Sequence, residues 1–450
     1  MTVLHAKTAL LPDGWAQDVE ITIAAGRIEQ VRRGVPGASL GCMLPAPVNL
    51  HSHTFQRAMA GMTEARSAGQ DSFWTWRALM YRFLDRLTPD DVQAIAAFVM
   101  MEMAEAGFAA VAEFHYLHHQ PGGVPYADLA EMSAQIAAAA QETGLGLTLL
   151  PVLYERGGCD GRALGPGQVR FGTDPDRFGT LWHGAGRALT AMPADTRLGV
   201  APHSLRAVSP QGLAFAASLA PDAPIHIHLA EQMAEVDEVR AHTGARPVEW
   251  LLANAEVDAR WCAIHATQMH PDETLGLAAT GAVAGLCPIT EANLGDGIFD
   301  GVRWLGGKGA FGIGSDSNLR ISLTEELRLL EYSQRLRDRG RAMLATAQRS
   351  TGRVLYDGAV AGGAQAAGRA SGAIAPGMWA DLLALDMGAV DLDGRQGDAI
   401  LDTLIFAGDD RMVTHLWSAG RAIVTDGRHI ARDPITARYR ATMRSLQARA

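Results

Sequence analysis

Lysine is almost absent from this chain: Lys7 and Lys308 are the two in 450 residues, and arginine supplies the remaining basic side chains. Cysteine is also scarce. Cys42, Cys159, Cys262 and Cys287 lie far apart with no Cys-x-x-Cys pair, a pattern that argues against a disulfide framework or a structural zinc knot and suits buried, reduced thiols. No apolar run reaches the roughly 18 residues of a membrane-spanning helix. Met1-Thr2-Val3-Leu4-His5 lacks the basic start and apolar core of a secretory signal, so a cytoplasmic location is expected. The net charge of −10, spread along the chain, argues against a nucleic-acid partner. Internal repeats and low-complexity tracts are likewise missing.

What the chain does have is ordinary globular composition, 48% apolar, and a regular alternation. Apolar runs bounded by Gly, Pro and polar clusters predict strands at 43–50, 109–114, 146–153, 197–202, 224–228, 261–265, 282–287 and 310–314. Ala-, Leu- and Met-rich helical stretches lie between them, among them 89–106, 126–143 and 210–220. Eight buried-type strands alternating with helices predict an α/β fold, a parallel (β/α)8 TIM-like barrel. An open doubly wound sheet gives the same alternation. Segments 2–33, 373–386 and 413–429 read as short strands and turns. The expected division is therefore a β-domain beginning in 1–44, a barrel over 45–370, and the rest of the β-domain with a C-terminal tail over 371–450. The two end segments are expected to pair into one small discontinuous β-sandwich.

In barrel enzymes the working groups stand at the C-terminal ends of the strands. The first strand ends Asn49-Leu50-His51-Ser52-His53. Residues two apart on a strand share a side, so His51 and His53 can offer imidazoles to one metal ion. Three further strand ends carry Ile225-His226-Ile227-His228-Leu229-Ala230-Glu231, Ala263-Ile264-His265 and Gly312-Ile313-Gly314-Ser315-Asp316-Ser317. Burying such groups without partners is costly, so a shared site is expected. His226 and His228 share a face, and spacing alone does not choose between them as a ligand. His226 has the better claim to a hydrogen-bonded core role.

This arrangement resembles the amidohydrolase superfamily, in which strand 1 supplies His-x-His, strands 5 and 6 a His each, and strand 8 an Asp. The resemblance runs the length of the chain. Two-metal members bridge their ions with a carboxylated lysine at strand 4; here that strand ends Val200-Ala201-Pro202-His203-Ser204, and neither lysine lies near it. The remaining likeness is to the single-metal deaminase group, whose strand-5 His-x-x-Glu matches His228-Leu229-Ala230-Glu231. The resemblance implies that His51, His53, His228 and Asp316 hold one metal ion per chain, Zn²⁺, with Fe²⁺ acceptable to the same ligands. It implies that a metal-activated water attacks the substrate and that Asp316 takes up its proton. Glu231 then protonates the imine nitrogen and helps ammonia leave, and His265 stabilises the attacking oxygen.

The stretch Asn49-Leu50-His51-Ser52-His53-Thr54-Phe55-Gln56-Arg57-Ala58-Met59-Ala60-Gly61 is more particular. It is similar to the strand-1 region of the N-formimidoyl-L-glutamate deiminase family, as are Phe73-Trp74-Thr75-Trp76-Arg77, Glu113-Phe114-His115-Tyr116-Leu117-His118 and Ala201-Pro202-His203-Ser204-Leu205-Arg206-Ala207-Val208. Pro45-Ala46-Pro47 departs from it, a Pro-Gly pair being commoner there. The likeness implies histidine-degradation chemistry on a small substrate with two carboxylates and a formamidine, a shape that asks for arginines. Arg206 and Arg77 are the candidates to grip a carboxylate. Gln56, Tyr116 and His203 are the candidates for further hydrogen bonds, and Phe73, Trp74 and Trp76 for packing or a lid. Relatives imply a homodimer; no nucleic-acid or membrane partner is expected. Two rival readings are a deaminase of a heterocycle such as cytosine or guanine, which does not need two guanidinium groups, and a catalytically inactive scaffold on the same fold.

Overall fold

The computed structural model describes residues 1–62, 64, 80–81, 83–219 and 221–449. Arg77, Phe73, Trp74 and Trp76 lie outside the described residues. Four strands open the chain: β1 (Thr2–Leu11), β2 (Gly14–Ala24), β3 (Arg27–Arg32) and β4 (Leu40–Pro45). The central run is β5 (Val48–Ser52), β6 (Ala110–His115), β7 (Gly146–Leu153), β8 (Arg197–Leu198), β9 (Ala201–Pro202), β10 (Ile225–Leu229), β11 (Trp261–His265), β12 (Val283–Leu286) and β13 (Ala310–Ile313). The closing strands are β14 (Leu382–Leu385), β15 (Val413–Ser418), β16 (Arg421–Thr425) and β17 (Arg428–His429).

The central strands form two parallel ladders, β5-β6-β7-β8 with β9 also on β7, and β10-β11-β12-β13. Every residue of β5, β6, β7, β10, β11 and β12 is buried, which is why these strands read as continuous apolar runs rather than alternating ones. Isolated parallel bridges link the ladders at both margins: Val200 with Ile225 and Ser204 with His228 at one, Ser52 with Asp316 at the other. At the second margin His53 N donates to Asp316 O and Asp316 N to His51 O, each at 2.9 Å. The fold is α/β with parallel sheets.

The expected first strand, 43–50, is in fact two. Met43, Leu44 and Pro45 belong to β4, paired with β14, whereas Val48 begins β5 on β6. Pro47 brings no N–H and restricts the residue before it, so the ladder breaks there and the chain crosses between sheets. Strand 197–202 is likewise interrupted at Gly199-Val200, although Gly199 N still donates to Leu149 O (2.9 Å) and Val200 N to Pro224 O (3.0 Å).

Both ends of the chain meet in one eight-stranded sheet of order β17-β16-β15-β14-β4-β1-β2-β3. Its own apolar cluster includes Val19, Ile21, Ile23, Ile28, Met43 and Leu382. A buried ionic knot ties this sheet to the parallel one. Arg369 donates to Asp381 through Nε (2.6 Å) and Nη2 (2.9 Å), and to Asp195 through Nη1 to the carbonyl and Nη2 to Oδ2 (2.8 Å each). Arg421 adds two bonds of 2.8 Å to Asp195. The Arg369 guanidinium lies against Gly146, the first residue of β7, which places the knot at the N-terminal end of that strand. Among the described residues no helix is long and apolar enough to cross a membrane.

Candidate active site

At the opposite, C-terminal ends of β5, β10, β11 and β13, the chain leaves each strand by a short turn that carries polar groups. Ala230, His265 and Asp316 adopt left-handed backbone conformations there (φ 52°, 68° and 47°). Such conformations cost on the order of 1–3 kcal/mol for a residue with a Cβ and persist where the surroundings hold them. The holding groups are present. Asn49 Nδ2 donates to Ser315 Oγ (2.6 Å), Ser315 Oγ to Asn318 Oδ1 (2.6 Å), and Asn318 Nδ2 to Asp316 O (3.0 Å) and Ser52 Oγ (3.1 Å). Glu235 accepts from Ala230 N (3.2 Å) and Glu231 N (3.0 Å). Gly314 runs so close to β5 that a Cβ on it would lie 2.6 Å from His51 O and 2.8 Å from His51 Cβ, so only glycine fits.

His51, His53 and His228 converge. Their ligand nitrogens all lie within 4.8 Å of one another, with His51 Nε2 3.2 Å from His228 Nε2. Asp316 Oδ1 stands 3.5 Å from His51 Nε2 and 3.3 Å from His53 Nε2. His53 Nδ1 donates to Phe114 O (2.9 Å) and His228 Nδ1 to His203 O (3.2 Å). A carbonyl can only accept, so these bonds place the proton on Nδ1 and leave the Nε2 lone pairs turned inward. Burial pushes His51 down to about 3 and also lowers His53 and His228, keeping all three neutral. Burial alone would raise Asp316, but its histidine neighbours, the cationic His265 among them, hold it well below the usual carboxylate range. Lone pairs and a carboxylate aimed at one point repel unless a cation lies among them. A tetrahedral ion with bonds of about 2.0–2.1 Å holds its donors roughly 3.3 Å apart, which these separations fit. His226, the alternative in strand 5, instead donates Nε2–H to Ala366 O at 2.8 Å.

Beside this group stand His265 and Glu231. His265 Nδ1 faces Glu291 Oε1 at 3.3 Å, and its Nε2 faces Glu231 Oε1 at 3.7 Å and Asp316 Oδ2 at 3.9 Å. Burial would strip the proton from His265, but the charges of Glu231, Glu291 and Asp316 prevail and raise it well above its ordinary value, so the ring is an imidazolium. Burial, reinforced by repulsion from Asp316 and Glu235, raises Glu231 above the usual carboxylate range.

The cavity over these groups is also lined by Gln56, Tyr116, His203 and Arg206. Gln56 Nε2 donates to the Tyr116 hydroxyl at 2.7 Å, and the Tyr116 ring packs edge-on to His53 with centroids 4.8 Å apart. His203 lies between Tyr154 and His228, at 4.5 and 4.9 Å. Arg206 is buried; desolvation works against its charge, but the nearby Glu235, Tyr154 and Glu231 more than compensate. Of the sequence-predicted site residues, all but Arg77 therefore stand at this cavity or in the histidine–aspartate group beneath it.

Sequence reasoning missed Glu291, which holds His265, and Tyr154 and Phe171, which line the cavity. Glu291 follows the end of β12 in Cys287-Pro288-Ile289-Thr290-Glu291, and Tyr154 directly follows β7, so the strand-end rule applied to all eight strands finds both. Phe171 comes from a loop with no periodic signal.

Comparison with known proteins accords with this geometry. The model of the "Amidohydrolase family" matches residues 42–423, and that of "Formimidoylglutamate deiminase HutF, N-terminal domain" matches residues 1–39. A formimidoylglutamate deiminase of Pseudomonas aeruginosa is 49% identical over 436 residues, covering 95% of this chain and 96% of that one. The crystal structure of an amidohydrolase from Brucella melitensis superposes with a TM-score of 0.96 at 47% identity, covering 99% of this chain and 100% of that one. A zinc-bound adenosine deaminase from Xanthomonas campestris has a TM-score of 0.82 at 20% identity, with 99% and 98% covered, and shares the fold.

Proposed function

The chain belongs to the amidohydrolase family, and from that premise we propose that it hydrolyses N-formimidoyl-L-glutamate to N-formyl-L-glutamate and ammonia, a step of histidine degradation. The observation that carries the reading is one cavity shared by Glu231, the cationic His265, the inward-turned histidines with Asp316, and the buried guanidinium of Arg206.

His51, His53, His228 and Asp316 would hold one divalent ion, zinc in this reading, with iron(II) suited to the same donors. When bound, that ion supplies a water acidic enough to attack at neutral pH. Asp316, with Oδ1 toward His51 and His53 and Oδ2 toward His265, takes a proton from the attacking water. Glu231 delivers a proton to the formimidoyl nitrogen, a task suited to a carboxyl whose proton affinity burial has raised. His265, with Nδ1 held by the Glu291 carboxylate, stabilises the oxygen as negative charge develops on it. The proton held by Asp316 then passes through Glu231 to the amine, the carbon–nitrogen bond breaks, and the proton left on the attacking oxygen restores Glu231, so one water is consumed and one ammonia released. Arg206 grips a substrate carboxylate, Arg77 is assigned the other, and Gln56, Tyr116 and His203 hydrogen-bond the amidine end.

The same reading takes the two parallel ladders and their linking bridges as a (β/α)8 barrel over 45–370. The terminal sheet is then a sandwich-like domain from 1–44 and 371–450, and the enzyme a homodimer. Ammonia release from formimidoylglutamate, cytosine and guanine tests the substrate. The expected result is the highest kcat/KM on formimidoylglutamate. Preference for either base overturns the substrate while leaving a deaminase.

A further inference from the structure

A second group of cation donors lies beside the first, and two of its members, Glu231 and His265, line the same pocket. Carboxylate oxygens of Glu231 and Asp296 and a nitrogen of His265 all lie within 4.8 Å of one another, and all three residues are buried. Three observations point to a ligand there. Asp296 is 4% exposed, yet its Oδ2 has no hydrogen-bond partner among the described residues. Its other contacts fix it in place: Gln232 Nε2 donates to Oδ1, and Gln268 Nε2 to the main-chain carbonyl. The second observation is the Glu291 carboxylate on His265 Nδ1 at 3.3 Å. A carboxylate behind a histidine, with the far nitrogen presented to open space, is the way proteins orient and strengthen an imidazole donor. The third is Asp316, whose Oδ1 faces His51 and His53 while Oδ2 faces His265 at 3.9 Å. One carboxylate thus stands between the two groups and can serve both.

We propose that Glu231, His265 and Asp296 form a second divalent-cation site, Asp316 Oδ2 at its edge, and that a cation bound there inhibits the enzyme. Charge favours it. Four buried acidic side chains, Glu231, Glu291, Asp296 and Asp316, stand around one imidazole, and a dication among them offsets the crowding of negative charge. The separation of 3.7 Å between His265 Nε2 and Glu231 Oε1 can be spanned by one ion with bonds of about 2.0–2.2 Å. The bound cation removes the proton carrier and the cationic imidazole together, because both become its ligands. The first group, with three neutral imidazoles, binds a transition metal more tightly, so inhibition follows only when metal exceeds one equivalent. The inhibition, though not the binding, rests on the deaminase reading above.

The test is a zinc titration of protein carrying one equivalent, read by metal count, by ammonia release and by anomalous diffraction from crystals soaked in excess zinc. The expected result is a second zinc peak between Glu231, His265 and Asp296, with activity falling at least about tenfold as it fills. Asp296→Asn removes a donor outside the catalytic steps; it should bind the second ion about 10–100-fold more weakly and resist inhibition. Saturation at one equivalent, a second peak elsewhere, a filled site with undiminished activity, or equal inhibition of Asp296→Asn each overturns the proposal. Should that variant not fold, the diffraction peak on the unaltered protein decides. Failure of the deaminase reading is separate: it shows as no ammonia release at one equivalent, before any excess is added.

Discussion

The two ends of the parallel strands both bury ionic groups, and they treat them oppositely. At the N-terminal end, Arg369 meets Asp195 and Asp381 with four bonds of 2.6–2.9 Å, and Asp381 Oδ1 also accepts from Ala419 N at 2.7 Å. Each charge there has its counter-charge. At the C-terminal end, the Nε2 atoms of His51 and His228 stand 3.2 Å apart and carboxylates cluster around His265. The first arrangement is complete in itself, and the second is complete only with something bound. The difference distinguishes a structural ionic cluster from a reactive one more sharply than burial does, since both are buried.

The largest expected effect comes from Glu231→Gln. It keeps the side-chain shape without a titratable proton, so kcat should fall about 10²–10⁴-fold while bound metal and thermal stability stay unchanged. A near-normal kcat removes Glu231 from the proton path. The mirror experiment at the other end is Arg369→Met, which leaves the buried Asp381 carboxylate without its guanidinium and Asp195 with Arg421 alone. Chemical denaturation should show a loss of about 3–5 kcal/mol, with kcat of the folded protein retained; lost kcat at full stability would reverse the roles of the two ends. Arg206→Met should lower kcat/KM for formimidoylglutamate at least about tenfold, since charge-assisted hydrogen bonds contribute roughly 1.5–3 kcal/mol each. An N-formimidoyl amino acid lacking the gripped carboxylate should lose much less, and a parallel loss on both substrates would make Arg206 structural.

The smallest effect is one of pH. Burial would raise Asp195, but Arg421 and Arg369 hold it down, to about 2, against about 3.9 for an unfolded aspartate. A depressed folded value gives stability that is present above the unfolded value and lost as pH falls through the folded one. Urea midpoints should therefore drop between about pH 4 and pH 2, by on the order of 2 kcal/mol from this group. Asp195→Asn, less stable at neutral pH, should show a shallower drop across that window.

The cluster at the C-terminal ends of the strands was legible in the sequence and the one at the N-terminal ends was not. His51, His53, His228, His265 and Asp316 each close an apolar run, so one local rule finds them all. Asp195, Arg369, Asp381 and Arg421 come from four distant segments with no shared pattern, and only the folded chain brings them together. The break at Ala46-Pro47 was hidden because apolar residues continue across it. Strand neighbours that are far apart in sequence, such as Ser52 beside Asp316, leave no trace in periodicity. Asp296 escaped notice because it lies in a loop after a short helix, away from any strand end.

The central claim is that the C-terminal cluster is incomplete without a metal ion, and a reconstitution titration addresses it most directly. Protein stripped by a chelator should remain folded and release no ammonia from formimidoylglutamate. Activity should then rise in proportion to zinc added and reach its maximum at about one equivalent per chain. Full activity in metal-free protein, or activity that begins only at the second equivalent, would contradict it.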